Sequence, residues 1–383
     1  MSEDTILLNP EEIKKRREKK QSEEVVEHVV EKSNEKYFNK AGTVAIQYES
    51  MNRFDTPDIL YFSDYSIEDV NDITLTRPED IFENLICILN KLVKTDVPVK
   101  IENMTIDEFL ETLVGIKLQF NTHKHIHRWI CDCQSPLDEK DRQINEFEID
   151  LRTIQYVSIE EADEKLREYY RKVFEIYSDE EWKEYLLAKY SNNPLSDINA
   201  YTREEEVKKI KITEPINLPL DGHVYSFVFT RIKHLIDGQK LAQKQYSGRI
   251  KQIQNKRETN VPLAELKQKK DDELNKLKDE QNKKSVLYAR SLTLEKLDGK
   301  VLSNEERIQI FPKLSRNIMF ELINFLDQIH FGINDEREMI CSICGKSERG
   351  LLQQELNPIE LLPLDSSSTG KHREHSRINI YFG

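Results

Sequence analysis

Two cysteine pairs, Cys131-Asp132-Cys133 and Cys341-Ser342-Ile343-Cys344-Gly345-Lys346, each follow an amphipathic segment, and this recurrence constrains the fold more than any other feature. Laying Ile106, Leu110, Leu113 and Val114 over Ile318, Leu322, Phe325 and Leu326 brings the pairs into correspondence, with two fewer residues between helix and knuckle in the second copy. Both copies then read in one order: extended pieces, helix, helix, cysteine knuckle, strand. A duplicated module, with an insertion in its second copy, is the expected architecture.

A chain of 383 residues can form two or more cores. With 38% hydrophobic and 33% charged residues, much of it must be solvated surface or extended helix. The formal charge of −13 argues against general nucleic-acid binding, which is largely cation-driven. Five cysteines, an odd and small number, argue for a reducing compartment over a disulfide scaffold. No apolar run approaches membrane-spanning length and the N-terminus lacks a signal-like apolar core, so a soluble intracellular protein is expected.

Along the chain, residues 1–50 read as a charged N-terminal helix or tail, opened by Asn9-Pro10-Glu11-Glu12. Residues 51–157 read as the first α+β module. Thr76-Arg77-Pro78-Glu79 offers a capping box, Ile81 to Val93 repeat at helical spacing, Thr105-Ile106-Asp107-Glu108 signals a second helix, and Phe147, Ile149 and Leu151 alternate like a strand. Cys87 is expected to pack as a small apolar residue. Residues 158–210 read as a helical connector, with Leu166, Tyr169, Tyr170 and Val173 on one face and a loop at Ser191 to Asp197. Residues 211–383 read as the second module. It opens with two strands joined at Asp221-Gly222 and is interrupted over 235–300 by a coiled-coil-like helical hairpin with a sparse leucine seam. The terminal Ile378-Asn379-Ile380-Tyr381-Phe382 alternates like an edge strand.

Two thiolates at the Cys341-x-x-Cys344 spacing can share one zinc, and Gly345 permits the tight turn that follows. Cys131-x-Cys133 is a less usual pair, and neither completes a site alone. Pooling Cys131, Cys133, Cys341 and Cys344 would give a closed tetrahedral site between the copies, one that supports folding and leaves no position for a reactive water. Reduced cysteines packed at a strand turn are the alternative; no thioredoxin-like context supports a redox pair. His123, His125 and His127 alternate on one strand face and are explained as exposed polar positions. No Walker loop, dinucleotide-binding turn, HExxH or nucleophile elbow occurs, and no pair of carboxylates stands out, so no catalytic residue is nominated.

The order Ile73-Thr74-Leu75-Thr76-Arg77-Pro78-Glu79-Asp80, Ile106-Asp107-Glu108-Phe109-Leu110, Cys131-Asp132-Cys133, then Glu148 to Ile154 resembles the hub assembly proteins of T-even-like contractile phage baseplates. A second pass through Leu218 to Gly222, Phe331-Gly332, Cys341 to Cys344 and Ile359 to Pro363 resembles the same pattern. The likeness covers 58–157 and, interrupted, 212–383, whereas the duplication departs from the family's single-module arrangement. It implies a non-enzymatic protein in contact with other tail and baseplate proteins, as a transient chaperone or a virion component. Its place would be the virion baseplate or the host cytoplasm during assembly, and a homo-oligomer is compatible with it. The alternative is a zinc-stabilised nucleic-acid-binding protein whose hairpin lysines and arginines reach phosphates. A hydrolase with dispersed acidic residues ranks third.

Overall fold

Leu60 and Phe62 are fully buried while Ile59 and Tyr61 beside them are exposed, the period-two signature of a strand lying on a core. This strand, β3 (Ile59–Ser63), belongs to an antiparallel sheet with β1 (Tyr37–Lys40), β2 (Thr43–Gln47) and β4 (Val93–Lys94), ordered β1-β2-β3-β4. The structure, a computed structural model, describes residues 37–40, 43–63, 81–94, 98–119, 123–129, 131, 133, 143–176, 180–181, 184, 203–220, 222–255, 263–334 and 336–351. Within them the α+β class is evident. The expected N-terminal helix before residue 37, the Ser191 to Asp197 loop and the terminal edge strand lie outside the described residues.

Helix α1 (Ile81–Leu92) lays Leu85, Leu89 and Leu92 against this sheet. Each such side chain, once fully buried, contributes about 1.5–3 kcal/mol. Cys87 is exposed, two positions from both Leu85 and Leu89 and so on the far side of the helix; the expectation that it packs inside is corrected. Helix α2 (Ile106–Gln119) begins where expected, and its start is a capping box in which Thr105 N–H donates to Glu108 Oε2 at 2.9 Å and Glu108 N–H donates to Thr105 Oγ1 at 3.2 Å, whereas the box expected at Thr76 to Glu79 lies outside the described residues. Glu108 through Lys117 are buried without interruption, so α2 is an internal helix rather than one with a single covered face.

The hairpin β5 (Lys124–Trp129) and β6 (Asn145–Asp150) follows, with Ile149 and Leu151 closing the first core. β7 (Tyr156–Val157) then leads to α3 (Ile159–Ile176) and α4 (Arg203–Lys209). A second antiparallel sheet, ordered β11-β10-β9-β8, comprises β8 (Ile216–Leu220), β9 (His223–Phe227), β10 (Leu294–Leu297) and β11 (Lys300–Val301). Between β9 and β10 runs the arm, α5 (Ile232–Asn255) and α6 (Leu263–Thr293). At 31 residues α6 is roughly 46 Å long. Then come α7 (Asn304–Ile310), α8 (Arg316–Gln328), β12 (Gly332–Ile333), β13 (Glu336–Ile340) and β14 (Ser347–Leu351).

Two expected boundaries shift. Val44, Ile46 and Tyr48 belong to the first core, so that unit begins before residue 51 and takes in the end of the supposed tail. Ile159, Ala162, Leu166, Tyr170 and Val207 are buried with Phe227, Leu294 and Phe325, so α3 and α4 of the expected connector are a wall of the second core. Apolar periodicity marks which face of a helix is covered; it does not say which core covers it.

Part of the expected order recurs in the topology. β2-β3, α1, β4 returning to β3, α2, then the β5–β6 hairpin corresponds to β8-β9, the arm, β10 returning to β9, α8, then the β13–β14 hairpin, while β11, α7 and β12 have no counterpart in the first run. The arm stands where the first copy has α1. Its apolar residues are largely spent inside it: Ala242 and Leu277 are buried, and no described arm residue is among the exposed large hydrophobics. At its base Gly238 allows close crossing, for a Cβ there would lie 2.7 Å from Ala289 N and from Ser285 O.

The two cores interlock. Phe54, from the loop after β2, lies 5.3 Å from the Phe229 ring and 5.4 Å from that of Phe331, and Arg53 pairs with buried Asp163 at 2.6 Å. In return Ile232 and Ile333 enter the first core.

Candidate metal centre

Cys131 lies just past the end of β5, opposite the start of β6, where Trp129 pairs with Asn145. Cys341 and Cys344 occupy the turn between β13 and β14, closed where Ile340 pairs with Ser347. Within that turn Cys341 N–H donates to Lys346 O at 3.0 Å and Gly345 N–H to Cys341 O at 2.9 Å, with Gly345 at φ +69°. The left-handed backbone is why glycine stands there. Asn145 braces the two hairpins, its Oδ1 accepting from Ser342 N at 2.9 Å and Ser342 Oγ at 2.8 Å. Arg337 adds a second brace, donating to Thr153 O and Oγ1 at 3.0 Å each.

This bracing brings the four sulfur atoms of Cys131, Cys133, Cys341 and Cys344 within 4.8 Å of one another. Cys131 and Cys344 are 3.8 Å apart, and Cys133 and Cys341 are 3.9 Å apart. A zinc ion bound tetrahedrally by thiolates at about 2.3 Å sets its sulfur atoms about 3.8 Å from each other, so these residues fit the ion with little movement. Four soft thiolates select zinc or another thiophilic metal over magnesium or calcium, and a closed set of four leaves no site for a reacting water. Bound there, the metal would supply folding energy and a cross-link between chain-distant hairpins.

The knuckle prepares one thiolate in advance. Amides of Cys344 and then of Ile343, the latter with N–H···Sγ at 3.4 Å, hold the Cys341 thiol down to about 6. Cys133 is pushed up to about 12, by desolvation first and then by the crowding of the neighbouring thiols. A metal entering this cluster therefore displaces a proton from Cys133.

Among the described residues, these cysteines are the set of His, Cys, Asp or Glu atoms placed to share an ion. Neither His123 nor His125 joins them. His125 is buried, its Nδ1 3.4 Å from Lys117 Nζ, which corrects the expectation of an exposed position; His123 is half-buried. The packing of α2 against the β5–β6 hairpin covers that face.

Sequence reasoning missed a buried polar network around α2. His330 Nδ1 lies 3.2 Å from Asp107 Oδ1 and His330 Nε2 donates to Ile333 O at 2.8 Å. Glu111 Oε2 accepts from Glu49 N–H at 3.2 Å, Glu108 Oε2 accepts from Thr56 Oγ1 at 2.9 Å, and Tyr48 bonds Thr112 at 2.8 Å. Desolvation raises the Asp107 and Glu108 carboxyls above their ordinary range. These groups tie the loop after β2 and the turn before β12 to α2. Their sequence signal was only an acidic first turn, which solvated helices share. No protein-family model, curated protein or solved structure matches this chain.

Proposed function

We propose that this chain is a non-enzymatic assembly protein, its two halves pinned together by one thiolate-bound zinc and its work done through contacts with other proteins. The observation that carries the reading is the convergence of Cys131, Cys133, Cys341 and Cys344 within 4.8 Å from two hairpins whose paired cysteines stand 213 and 208 residues apart in the chain. A closed thiolate set of this kind serves architecture. It holds still a two-core body from which the arm projects with a polar outer surface, a geometry suited to bridging partners. The resemblance of its repeated pattern to baseplate hub assembly proteins supplies the setting: a contractile phage tail under construction.

The test is affinity capture of the tagged full chain from cells assembling the phage that encodes it. Recovery of tail or baseplate proteins, reduced when 240–284 are deleted, is the expected result. Recovery of none, with the folded chain in hand, overturns the reading.

One observation favours nucleic acid as a second reading: residues 240–255 and 263–284 of the arm carry eleven Lys and Arg against six Asp and Glu. Four of those acids, Glu265, Asp272, Asp279 and Glu280, have a lysine four residues on, the spacing that stabilises a lone helix and spends positive charge locally. Binding to DNA or RNA that weakens steeply with salt would favour this reading.

A further inference from the structure

We propose that the four cysteines are also an oxidation-driven latch: a peroxide converts them into two disulfides that cross between the hairpins, Cys131 to Cys344 and Cys133 to Cys341, so that the clamp outlasts its metal. This rests on the thiolate-centre reading in taking the four side chains as one cluster. All four sulfur atoms lie within 4.8 Å of one another, and Cys131 with Cys344 at 3.8 Å and Cys133 with Cys341 at 3.9 Å make hydrogen-bond contact between the hairpins, although 213 and 208 residues separate them in the chain. Each joins one buried cysteine, Cys131 or Cys341, to one exposed cysteine, Cys344 or Cys133. An exposed thiol meets the oxidant first and a sheltered partner is already beside it to resolve the product.

Pairing inside a hairpin is disfavoured by the backbone. Cys131 and Cys133 would have to close over Asp132 alone. Joining Cys341 to Cys344 would disturb the tight turn in which Ile343 N–H donates to Cys341 Sγ and Gly345 N–H to Cys341 O.

The chemistry balances with hydrogen peroxide as oxidant. The Cys344 thiolate attacks one peroxide oxygen, the O–O bond breaks, and the departing hydroxide takes a proton to become water, leaving Cys344 as a sulfenic acid. The Cys131 thiolate then attacks that sulfur; the S–S bond forms and the hydroxyl leaves as a second water. Cys133 and Cys341 follow the same course, each disulfide consuming two thiols and one peroxide. The metal departs as its thiolates are consumed.

The experiment oxidises the full chain with hydrogen peroxide, once as purified and once after removal of metal with a chelator. Intact mass, metal content and disulfide connectivity are then measured. Cleavage before Asp132 separates Cys131 from Cys133, and Cys341→Ser and Cys133→Ser each leave only the Cys131–Cys344 cross pair intact. The expected result is a mass loss of about 4 Da in the parent protein and about 2 Da in each variant, with peptides linked between the hairpins. Disulfides confined to Cys341–Cys344 or Cys131–Cys133, or sulfinic acid on the exposed cysteines without cross-links, would overturn the proposal. Metal content separates the two readings: a chain that binds no metal yet forms the cross pairs loses the zinc reading alone, and one that binds metal yet pairs within hairpins loses the latch alone.

Discussion

The Sγ atoms of Cys131 and Cys344 lie 3.8 Å apart across 213 residues of chain. A contact of that span closes a very large loop, and each hairpin is anchored at its other end in the body, through Ile149 and Leu151 on one side and Ile333 on the other. Replacing Cys344 by serine should therefore abolish metal retention while leaving both cores folded. Elemental analysis should read about one zinc per parent chain and essentially none in the variant, with far-UV circular dichroism unchanged and proteolysis faster near residues 131–145. Acid should release the metal in the parent. Cys341 is held down to about 6 and Cys133 is pushed up to about 12, so binding must displace at least the Cys133 proton. Apparent affinity then falls about tenfold per pH unit for each displaced proton. A metal affinity flat between pH 8 and pH 6 would contradict this.

Gly332 has φ +85°, and a Cβ there would come 2.9 Å from Asp107 Cβ and 3.0 Å from Glu111 Oε1. Both the left-handed backbone and the absence of room require glycine. Gly332→Ala should lower stability by about 2–4 kcal/mol, strain and overpacking together. Gly222 shares a positive φ, +75°, but has nothing within 4 Å. Gly222→Ala should accordingly cost only about 1 kcal/mol. Denaturant midpoints of the two variants check the difference, and equal losses would mean that crowding against α2 contributes nothing.

Much of this was legible in the residues. The helix start at Thr105 to Glu108, the arm helices and the correspondence of Ile106 to Val114 with Ile318 to Leu326 come from local spacing, which backbone geometry enforces directly. That correspondence also pooled the cysteines, because aligned helices put their knuckles at equivalent ends. The rest depends on what packs against the back of an element. Glu108 and Glu111 look like solvated helix positions until the loop carrying Tyr48 and Thr56 is folded over them. His125 likewise looks exposed until α2 brings Lys117 to it. Arg53 and Asp163, 110 residues apart, leave no local trace of their pairing.

Arg231 is a similar long-range tie, only 6% exposed. Its guanidinium donates to Asp55 Oδ2 at 2.8 Å and to Asn103 O at 2.6 Å, and it pairs closely with Glu214. Glu214 in turn accepts Phe229 N–H at 2.7 Å, so it cannot turn away to solvent freely. Arg231→Met strands that carboxylate beside the second core and should cost about 3–5 kcal/mol. Adding Glu214→Gln should restore part of the loss, because the stranded charge is then gone. A double variant no more stable than Arg231→Met would show that Arg231 matters through its packing and its bonds to Asn103 and Asp55.

Two buried groups of opposite sign shape the response to pH. Burial holds His234 down to about 3, with the positive charges of Lys233, Arg231 and Arg307 adding to the effect, and its Nδ1 accepts Arg231 N–H at 3.2 Å. A depressed histidine contributes stability that is whole above its unfolded value of about 6.5 and drains away as pH falls towards 3. Glu108 runs the other way. Desolvation raises its carboxyl against the pull of Ser50, Thr105 and Thr56, so the folded chain binds that proton more tightly than the unfolded chain does. Its stabilising contribution is present below about 4.3, the unfolded value, and is lost as pH rises through the folded one. At neutral pH the charged Glu108 is thus a burden: Oε2 has donors in Thr105 N–H and Thr56, whereas Oε1 has only the nearby buried Ser50 hydroxyl and no well-formed hydrogen bond. Glu108→Gln keeps an oxygen for those donors and points an N–H₂ where Oε1 now faces buried Ser50. The variant should be more stable than the parent at pH 7, with the advantage shrinking as pH is lowered towards 4. Melting temperatures of both proteins, taken after removal of metal so that thiol protonation does not intrude, measure that difference, and an advantage that stays constant with pH would mean that Glu108 is already neutral in the fold.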